Sequence, residues 1–506
     1  MLFIKIHNTS CVKSISAVES KKHNNKPQED RHVCQPLLER LPHSGFTAAW
    51  RACMNTFSDT SQPNPGSQRF RLLGGWVERP DDLQPALEGD VSADVVIIGA
   101  GFAGLSTALE LTALGASVVV LEQDFAGFGA SGRNAGYLAG SMGVEFELFH
   151  KRVGVEQARK IVAFYDEGVS YVERRLGELA IDCDYNPSGI IRAAVHPSQE
   201  KKLRHGMALG QQLGSVTRFV EPDEMRARGI PPAFLFGCTQ HGGTLDPGKY
   251  VMGLRRAALR AGVRLFEQTR LLSYQEGATV ICRSERGSAS APFMVLATNA
   301  YTPQLGLLRD KVVPLRVSAI ETAPLSKAQL QTLGWQGREG IVTPHWTMES
   351  HRLTARDTLL VTTKQLGYAY GSATPNQPDV SAYKALQQAL GERFPTLRGT
   401  PIHACWSGYI SLAYDALPVV GATGARDNIL YSAGCSGHGV GTQSLIGHLL
   451  AERIGGIEHP LLAALRHKTP STLPEPLQWC AMQAALAGVN VLDRQLNRKA
   501  RAFQAQ

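Results

Sequence analysis

No stretch of eighteen or more uninterrupted apolar residues occurs in the 506-residue chain, so no membrane-spanning helix is expected. The opening Met-Leu-Phe-Ile-Lys-Ile-His holds an apolar run too short for a secretory signal, and no small-residue cleavage pattern follows it. The nine cysteines include no Cys-x-x-Cys pair. Their spacing suggests neither a zinc site nor a disulfide framework, and no metal ligands are assigned. An odd number of cysteines in a long chain fits a reducing cytoplasm, which is the expected location. The net charge is +8, yet no block of Lys and Arg is interleaved with aromatics, so nucleic acid is set aside as a partner. The positive balance suits an anionic cofactor or carboxylates as well. Residues 1–66 lack sustained apolar periodicity and mix both charge signs, as a disordered extension does. No internal repeat is visible.

What is present is concentrated at 93–123. Asp94-Val95-Val96-Ile97-Ile98 is a short β-branched run suited to a buried parallel strand. Gly99-Ala100-Gly101-Phe102-Ala103-Gly104 follows it. A helical pattern then runs from Leu105 to Leu114 and stops at Gly115. Ser117 to Leu121 reads as a second strand, ending at Glu122-Gln123. This is a β-α-β unit with a dinucleotide fingerprint. Gly99 permits the tight turn, Gly101 lets backbone approach a pyrophosphate, and Gly104 allows the helix to pack closely on the sheet. The helix N-terminus offers free N–H groups to the phosphates. Glu122 is placed to accept hydrogen bonds from ribose hydroxyls and to repel a 2′-phosphate, which disfavours NADP.

The choice of cofactor rests on two later segments. Gly127-Phe128-Gly129-Ala130-Ser131-Gly132-Arg133-Asn134-Ala135-Gly136 lies one step beyond the ribose-binding strand end. It can pass close to a second phosphate or a flavin ring. Far downstream, Gly434-Cys435-Ser436-Gly437-His438-Gly439-Val440-Gly441 opens an apolar helix over 439–454. Its dipole suits negative charge developing at the N1/O2 edge of a reduced flavin. Further elements are expected as helices at 151–180, 248–261 and 381–392. Strands are expected at 263–267, 293–298, 312–322, 358–363 and 428–433.

Together these motifs resemble the D-amino-acid oxidase-like (DAO) flavoproteins over roughly residues 70–460. The resemblance is carried by the fingerprint, Ser131-Gly132-Arg133-Asn134-Ala135-Gly136, and Gly243-Thr244-Leu245-Asp246-Pro247. It is carried also by Ala297-Thr298-Asn299-Ala300-Tyr301, Trp406-Ser407-Gly408 with Asp415 to Gly421, and Gly437-His438-Gly439. The Ser-Gly-Arg-Asn loop looks most like the γ-glutamylputrescine oxidase branch. The resemblance implies an α/β fold: a discontinuous glutathione-reductase-like FAD domain (88–146, 240–300, 405–460) with an antiparallel-sheet α+β substrate domain (147–239, 301–404). A C-terminal helical extension would occupy 461–506.

It implies FAD, held non-covalently, since Cys405 stands beside Trp406, too early for a flavin-linked cysteine. The expected FAD contacts are Gly99, Gly101, Phe102, Ala103, Gly104, Glu122, Gln123, Ser131, Gly132, Arg133, Asn134, Ala297, Thr298, Gly434, Gly437, His438, Gly439 and Val440. The expected reaction is oxidation of a small amine or amino acid to an imine, with oxygen or another acceptor taking the electrons. A dehydrogenase serving a quinone or carrier, and a non-catalytic dinucleotide-binding protein, are the alternatives. Such chemistry asks the protein for orientation and electrostatics rather than for a nucleophile. The candidate catalytic residues are Arg133 and His438 at the flavin edge and Arg352 as a carboxylate anchor. His345, Trp346, Tyr368 and Tyr409 are candidates to line a cavity. The segment Ala355-Arg356-Asp357-Thr358 departs from the Asp-Gly-Arg-type turn of relatives.

Overall fold

The computed structural model describes residues 71, 73–140 and 146–506. They belong to one compact unit, Asn64–Gln506. The expected extension at 1–66 lies outside the described residues.

The β-α-β unit is present as β1 (Val95–Ile98), α1 (Phe102–Ala113) and β2 (Val118–Leu121). Next come β3 (Ile190–Ala193), β4 (Phe219–Val220), β5 (Gly237–Gln240), α2 (Pro247–Arg260), β6 (Arg264–Phe266) and β7 (Phe293–Leu296). The chain continues through β8 (Val313–Thr322), β9 (Gly340–Val342), β10 (Glu349–Leu353), β11 (Leu359–Gly367), α3 (Val380–Arg393) and β12 (Ile402–Leu412). It closes with β13 (Val419–Thr423), β14 (Ile429–Ala433), α4 (Gly439–Ile454) and α5 (Leu477–Gln504).

Two large sheets result. The first has six strands in the order β13-β14-β7-β1-β2-β6, parallel except for the β13/β14 pair. All four residues of β1 and of β2 are buried, which is why both read as unbroken β-branched runs. A four-stranded sheet covers one face, sharing a core of Val96, Val119, Cys282, Ala289 and Met294. Helices α1 and α4 cover the other, so close together that a Cβ on Gly447 would stand 2.6 Å from the Ala103 carbonyl oxygen.

The second sheet has eight strands, β12-β8-β11-β10-β9-β3-β5-β4, antiparallel apart from the β9/β3 pair. Its outer face packs on α3 through Ile320, Ile341, Val361, Tyr383, Leu386 and Phe394. The strand β12 runs unbroken through the boundary drawn from sequence at 404/405. Its alternation is the reason: Ala404 and Trp406 join the core of the first sheet's helices, and Cys405 joins the outer core.

Two further differences have local causes. The helix expected at 151–180 is two helices, Phe146–Val153 and Val155–Glu178, broken at Gly154 with φ +84°. The strand expected at 358–363 extends to Gly367 through Thr363, Lys364 and Gln365, all at positive φ. Opposite them the register with β8 jumps between Arg316 and Ser318, a bulge that lets the strand continue past its apolar run. Among the described residues no helix is long and apolar enough to cross a membrane.

Candidate cofactor and active site

The fingerprint has the geometry its glycines require. Gly99 sits at φ +102°, and a Cβ there would stand 2.9 Å from the Ala297 carbonyl oxygen at the end of β7. A Cβ on Gly104 would collide with the Gly99 carbonyl oxygen, so only glycine lets α1 lie this close to β1. The N-terminus of α1 at Gly101 carries no side-chain cap and no acid in its first turn. It is an uncompensated positive dipole end, suited to phosphate. Phe102 N–H donates to Ser131 Oγ at 3.0 Å, and a Cβ on Gly101 would stand 2.8 Å from the same oxygen. The fingerprint and the 131–136 loop therefore meet.

Glu122 ends β2 with its carboxylate buried, accepting from Ala100 N–H at 2.8 Å and Asp124 N–H at 3.1 Å. Burial pushes its pKa up to about 7. The loop beyond it is fixed from behind by a pair that sequence reading missed. Glu267 Oε1 accepts Ala126 N–H at 2.8 Å, while its Oε2 pairs with Arg255 at 2.8 Å, both side chains fully buried. Lone charged residues in a helix and after a strand give no signal of such a pairing.

Asn134 fastens its own loop. Its Nδ2 donates to the carbonyls of Ala130 and Ser131, and its Oδ1 accepts Gly136 N–H at 2.8 Å. Arg133 is buried, donating from Nε to Phe128 O at 2.8 Å and from Nη1 to Ser407 O at 3.3 Å, with its guanidinium over the Phe128 ring. Its own carbonyl accepts Trp406 Nε1–H at 3.0 Å, which joins the Ser-Gly-Arg-Asn and Trp-Ser-Gly motifs across the sequence.

The third loop turns through positive φ at Gly434, Ser436 and Gly437 before α4. Gly434 N–H and Ser436 N–H are both taken by Ser411, through its Oγ and its carbonyl. His438 is the N-cap of α4 without a capping side chain. Its ring meets Tyr165 edge-on at 5.9 Å, and burial, helped by the charge of Arg192, lowers its pKa. Arg192 comes from β3 and was not singled out in the sequence. Val440 is buried in the first turn, beside exposed Gly437 and half-buried Gly439.

Four buried polar atoms on these loops or against them have no hydrogen-bond partner among the described residues: Arg133 Nη2, Tyr165 OH, Asn299 Oδ1 and Gln443 Nε2. Leaving such groups unpaired costs about 1–3 kcal/mol each, so a ligand rich in donors and acceptors is the expected partner. Asn299 directly follows Ala297 and Thr298, and its Nδ2 reaches Cys435 Sγ at 3.4 Å, drawing the β7 end to the third loop. The residues present thus fit FAD: two helix N-termini without an N-cap side-chain bond, a buried carboxylate at the end of β2 and unsatisfied polar atoms.

Arg352 does not join this group. It is buried on β10, where Nη1 donates to Gly136 O at 2.9 Å and Leu245 O at 2.7 Å. It faces a separate cavity of about 190 Å³ lined by none of the assigned cofactor residues. Of the other candidates, Tyr409 is buried and donates to Pro375 O at 2.7 Å. His345 bonds Thr343 and Asn497, Trp346 is partly exposed, and Tyr368 donates to Glu475 at 2.6 Å. These last three serve the docking of α5 and its lead-in, which sequence periodicity does not reveal. Cys405 is buried, and burial pushes its thiol up to about 12.

Residues 94–453 match the DAO family model, described as FAD dependent oxidoreductase. The chain is 29% identical over 380 residues to gamma-glutamylputrescine oxidoreductase of Escherichia coli (strain K12), covering 73% of this chain and 85% of that protein. It is 29% identical over 406 residues to a probable oxidoreductase OrdL of Haemophilus influenzae, covering 78% and 90%. Among solved structures it matches glycine oxidase from Geobacillus kaustophilus with a TM-score of 0.63 at 18% identity, over 73% of this chain and 96% of that one. L-proline dehydrogenase from P. horikoshii matches with a TM-score of 0.60 at 19% identity, over 74% and 96%. At these identities the two structures establish the fold.

Proposed function

The chain belongs to the DAO family of FAD-dependent oxidoreductases, and from that premise we propose that it oxidises the C–N bond of a small amine or amino acid. Bound FAD would supply the acceptor for the hydride leaving the carbon next to nitrogen. The nitrogen gives up a proton, and water converts the released imine to an aldehyde or oxo acid and an amine or ammonia. The observation that carries the reading is that the fingerprint touches the 131–136 loop and the end of β7, which itself reaches the third glycine loop, in a chain 29% identical to a gamma-glutamylputrescine oxidoreductase.

In this proposal the α1 N-terminus and Ser131 hold the pyrophosphate and Glu122 the ribose. Arg133, with Nη2 buried and unpartnered, would donate to the cofactor. The N-terminus of α4, without an N-cap side-chain bond, would stabilise negative charge on a bound flavin. Burial lowers the His438 pKa, and its ring, edge-on to Tyr165, would shape the rim of the flavin site. The inner face of the eight-stranded sheet, with Arg192 on β3, forms the substrate side. Cys405 is buried with its thiol pKa raised, which argues against a flavin link through that residue.

The test is an absorbance spectrum of the purified protein before and after anaerobic addition of putrescine, γ-glutamylputrescine, glycine, sarcosine and proline. Flavin bands bleached by one of them are expected, and recovery in air separates an oxidase from a dehydrogenase. A protein that stays colourless with added FAD overturns the proposal, and one that binds FAD but is bleached by no amine overturns its substrate half.

A further inference from the structure

We propose that the outward face of α5 is a self-association surface, on which a second copy of this chain docks its own α5 in antiparallel register. The helix carries two stripes. One holds it to the protein through Gln478, Met482, Ala485, Asp493 and Asn497, all buried. The other is Leu477, Cys480, Ala484, Ala487 and Val491, all exposed, Leu477 by 59% and Val491 by 43%. Its spacing alternates three and four residues, the period of a coiled-coil seam, which needs a facing helix. No charged residue occurs from 477 to 492, whereas the solvent side of a surface helix is ordinarily charged or polar.

The seam is its own complement. Ala484 is its midpoint, so antiparallel pairing about a two-fold axis there sets Leu477 of one copy against Val491 of the other. The small residues at the centre let the helix axes approach to the short end of the usual range of about 8–10 Å, and the larger ones close both ends. Charge selects the direction. Beyond the seam the same face continues as Arg494 and Arg498, both exposed. A parallel pair would set these cations against their own copies, which costs stability. The antiparallel pair brings Arg494 instead to the other copy's 474–476 lead-in, beside Glu475. In a chain of net charge +8, a face without charge is also where two copies meet with least repulsion. Tyr370 and Leu473, 59% and 38% exposed, widen the patch at that end, Tyr370 being placed there by the Gly371 N–H bond to Glu475 at 3.0 Å. Two heptads of contact, roughly 21 Å of helix, bury less than the about 800 Å² per partner of a standard interface, so the dimer is a weak one.

The dimer does not rest on the FAD reading, and its test separates the two. Sedimentation velocity of the full chain from about 1 to about 200 μM should show a monomer passing to a dimer with a Kd on the order of 10 μM. Ala484→Glu sets two like charges face to face at the axis and should weaken the dimer at least about tenfold. Glutamate is a good helix former at this exposed position, so the variant keeps its fold. Val491→Arg, at the end of the seam, gives the same result by a second route. Both variants should keep the far-UV circular dichroism and the flavin content of the wild type. Register is read by cross-linking. In a Cys480→Ser background, Ala484→Cys should be joined to its own copy by a short bis-maleimide, and Ala502→Cys, on the same face but past the seam, should not. A wild type that stays monomeric at about 200 μM overturns the proposal, as does a dimer unchanged in both charge variants. Equal cross-linking at 484 and 502 overturns the antiparallel register. A monomer that floats with phosphatidylglycerol vesicles also overturns it, because the face then belongs to a lipid surface.

Discussion

The buried carboxylate of Glu122 has a pKa raised to about 7 by burial. A raised carboxyl pKa stabilises the folded apoprotein below the unfolded value, near 4.5, and that contribution is lost as pH rises through about 7. Ribose hydroxyls, by contrast, bind the ionised form better. FAD affinity should therefore increase between pH 6 and 8, measured by quenching of free FAD fluorescence on titration with apoprotein. In Glu122→Gln the affinity should fall about tenfold or more at pH 8, and the rise with pH should disappear. The same variant should raise the apoprotein Tm relative to wild type above pH 7 and not at pH 5. An unchanged pH profile in the variant would show that another group titrates.

Trp406 and Gly104 give sharper outcomes. Trp406→Phe keeps most of the packing but removes the bond to the Arg133 carbonyl, at a cost of about 1 kcal/mol in urea unfolding. It should also weaken FAD binding, because the loop bearing Arg133 loses a fastener. Gly104→Ala places a methyl group on the Gly99 carbonyl, and the expected result is protein purified without flavin. The turn at Gly99 and the close packing at Gly104 were legible in sequence because they depend on local backbone geometry. Arg352 was read from sequence as a carboxylate anchor. Its partners are the carbonyls of Gly136 and Leu245, and a carbonyl leaves no mark in a sequence. The Arg255–Glu267 pair was missed for a related reason: charged residues are common, and only folding shows which of them are buried.

At the scale of elements, strongly periodic segments were read almost residue for residue. Helix α4 spans 439–454 as expected, and α2 and α3 differ from expectation by one residue at each end. Elements whose shape depends on one glycine or on a neighbour's register were not. Gly154 splits a helix, and the bulge at 363–365 has no composition of its own. Helix α5 lies within the helical extension expected at 461–506, but how it docks was not legible, because polar groups dock it. Asp493 accepts from the N–H groups of Trp346 and Thr347 and from the Thr347 hydroxyl, while Asn497 takes His345 and Arg393. Asp493→Ala should cost about 2–4 kcal/mol in urea, leaving the amides at 346–347 unpaired. Amide exchange would localise the loss to residues 343–349 and α5. A change below about 0.5 kcal/mol would mean that the helix is held by its apolar contacts alone.

For the whole molecule, the two sheets were recognisable by class. Their order was not, because strand neighbours are decided by pairings hundreds of residues apart. One core runs from the fingerprint helix through Trp76, Trp406, Ala319 and Leu360, so it includes inner-face residues of the eight-stranded sheet. Binding FAD should therefore stabilise everything together. At a free concentration one hundred times Kd the gain is about 2.7 kcal/mol. Flavin release and loss of near-UV circular dichroism should share one midpoint on heating. Two separated transitions would show that the sheets melt independently.

The strand β12, which sends alternate side chains into two cores, has a consequence for how this protein can be altered or can have arisen. A module can be exchanged by recombination only where few contacts cross the junction. Here a single eleven-residue strand is the seam of both halves, so a crossover within it trades one partner's packing against the other's. New substrate preferences are then more accessible through loops and single inner-face positions than through swapping the sheet as a block. A library shuffled at 402–412 should yield mostly insoluble chimaeras, while one shuffled in the 368–379 connection should keep its flavin.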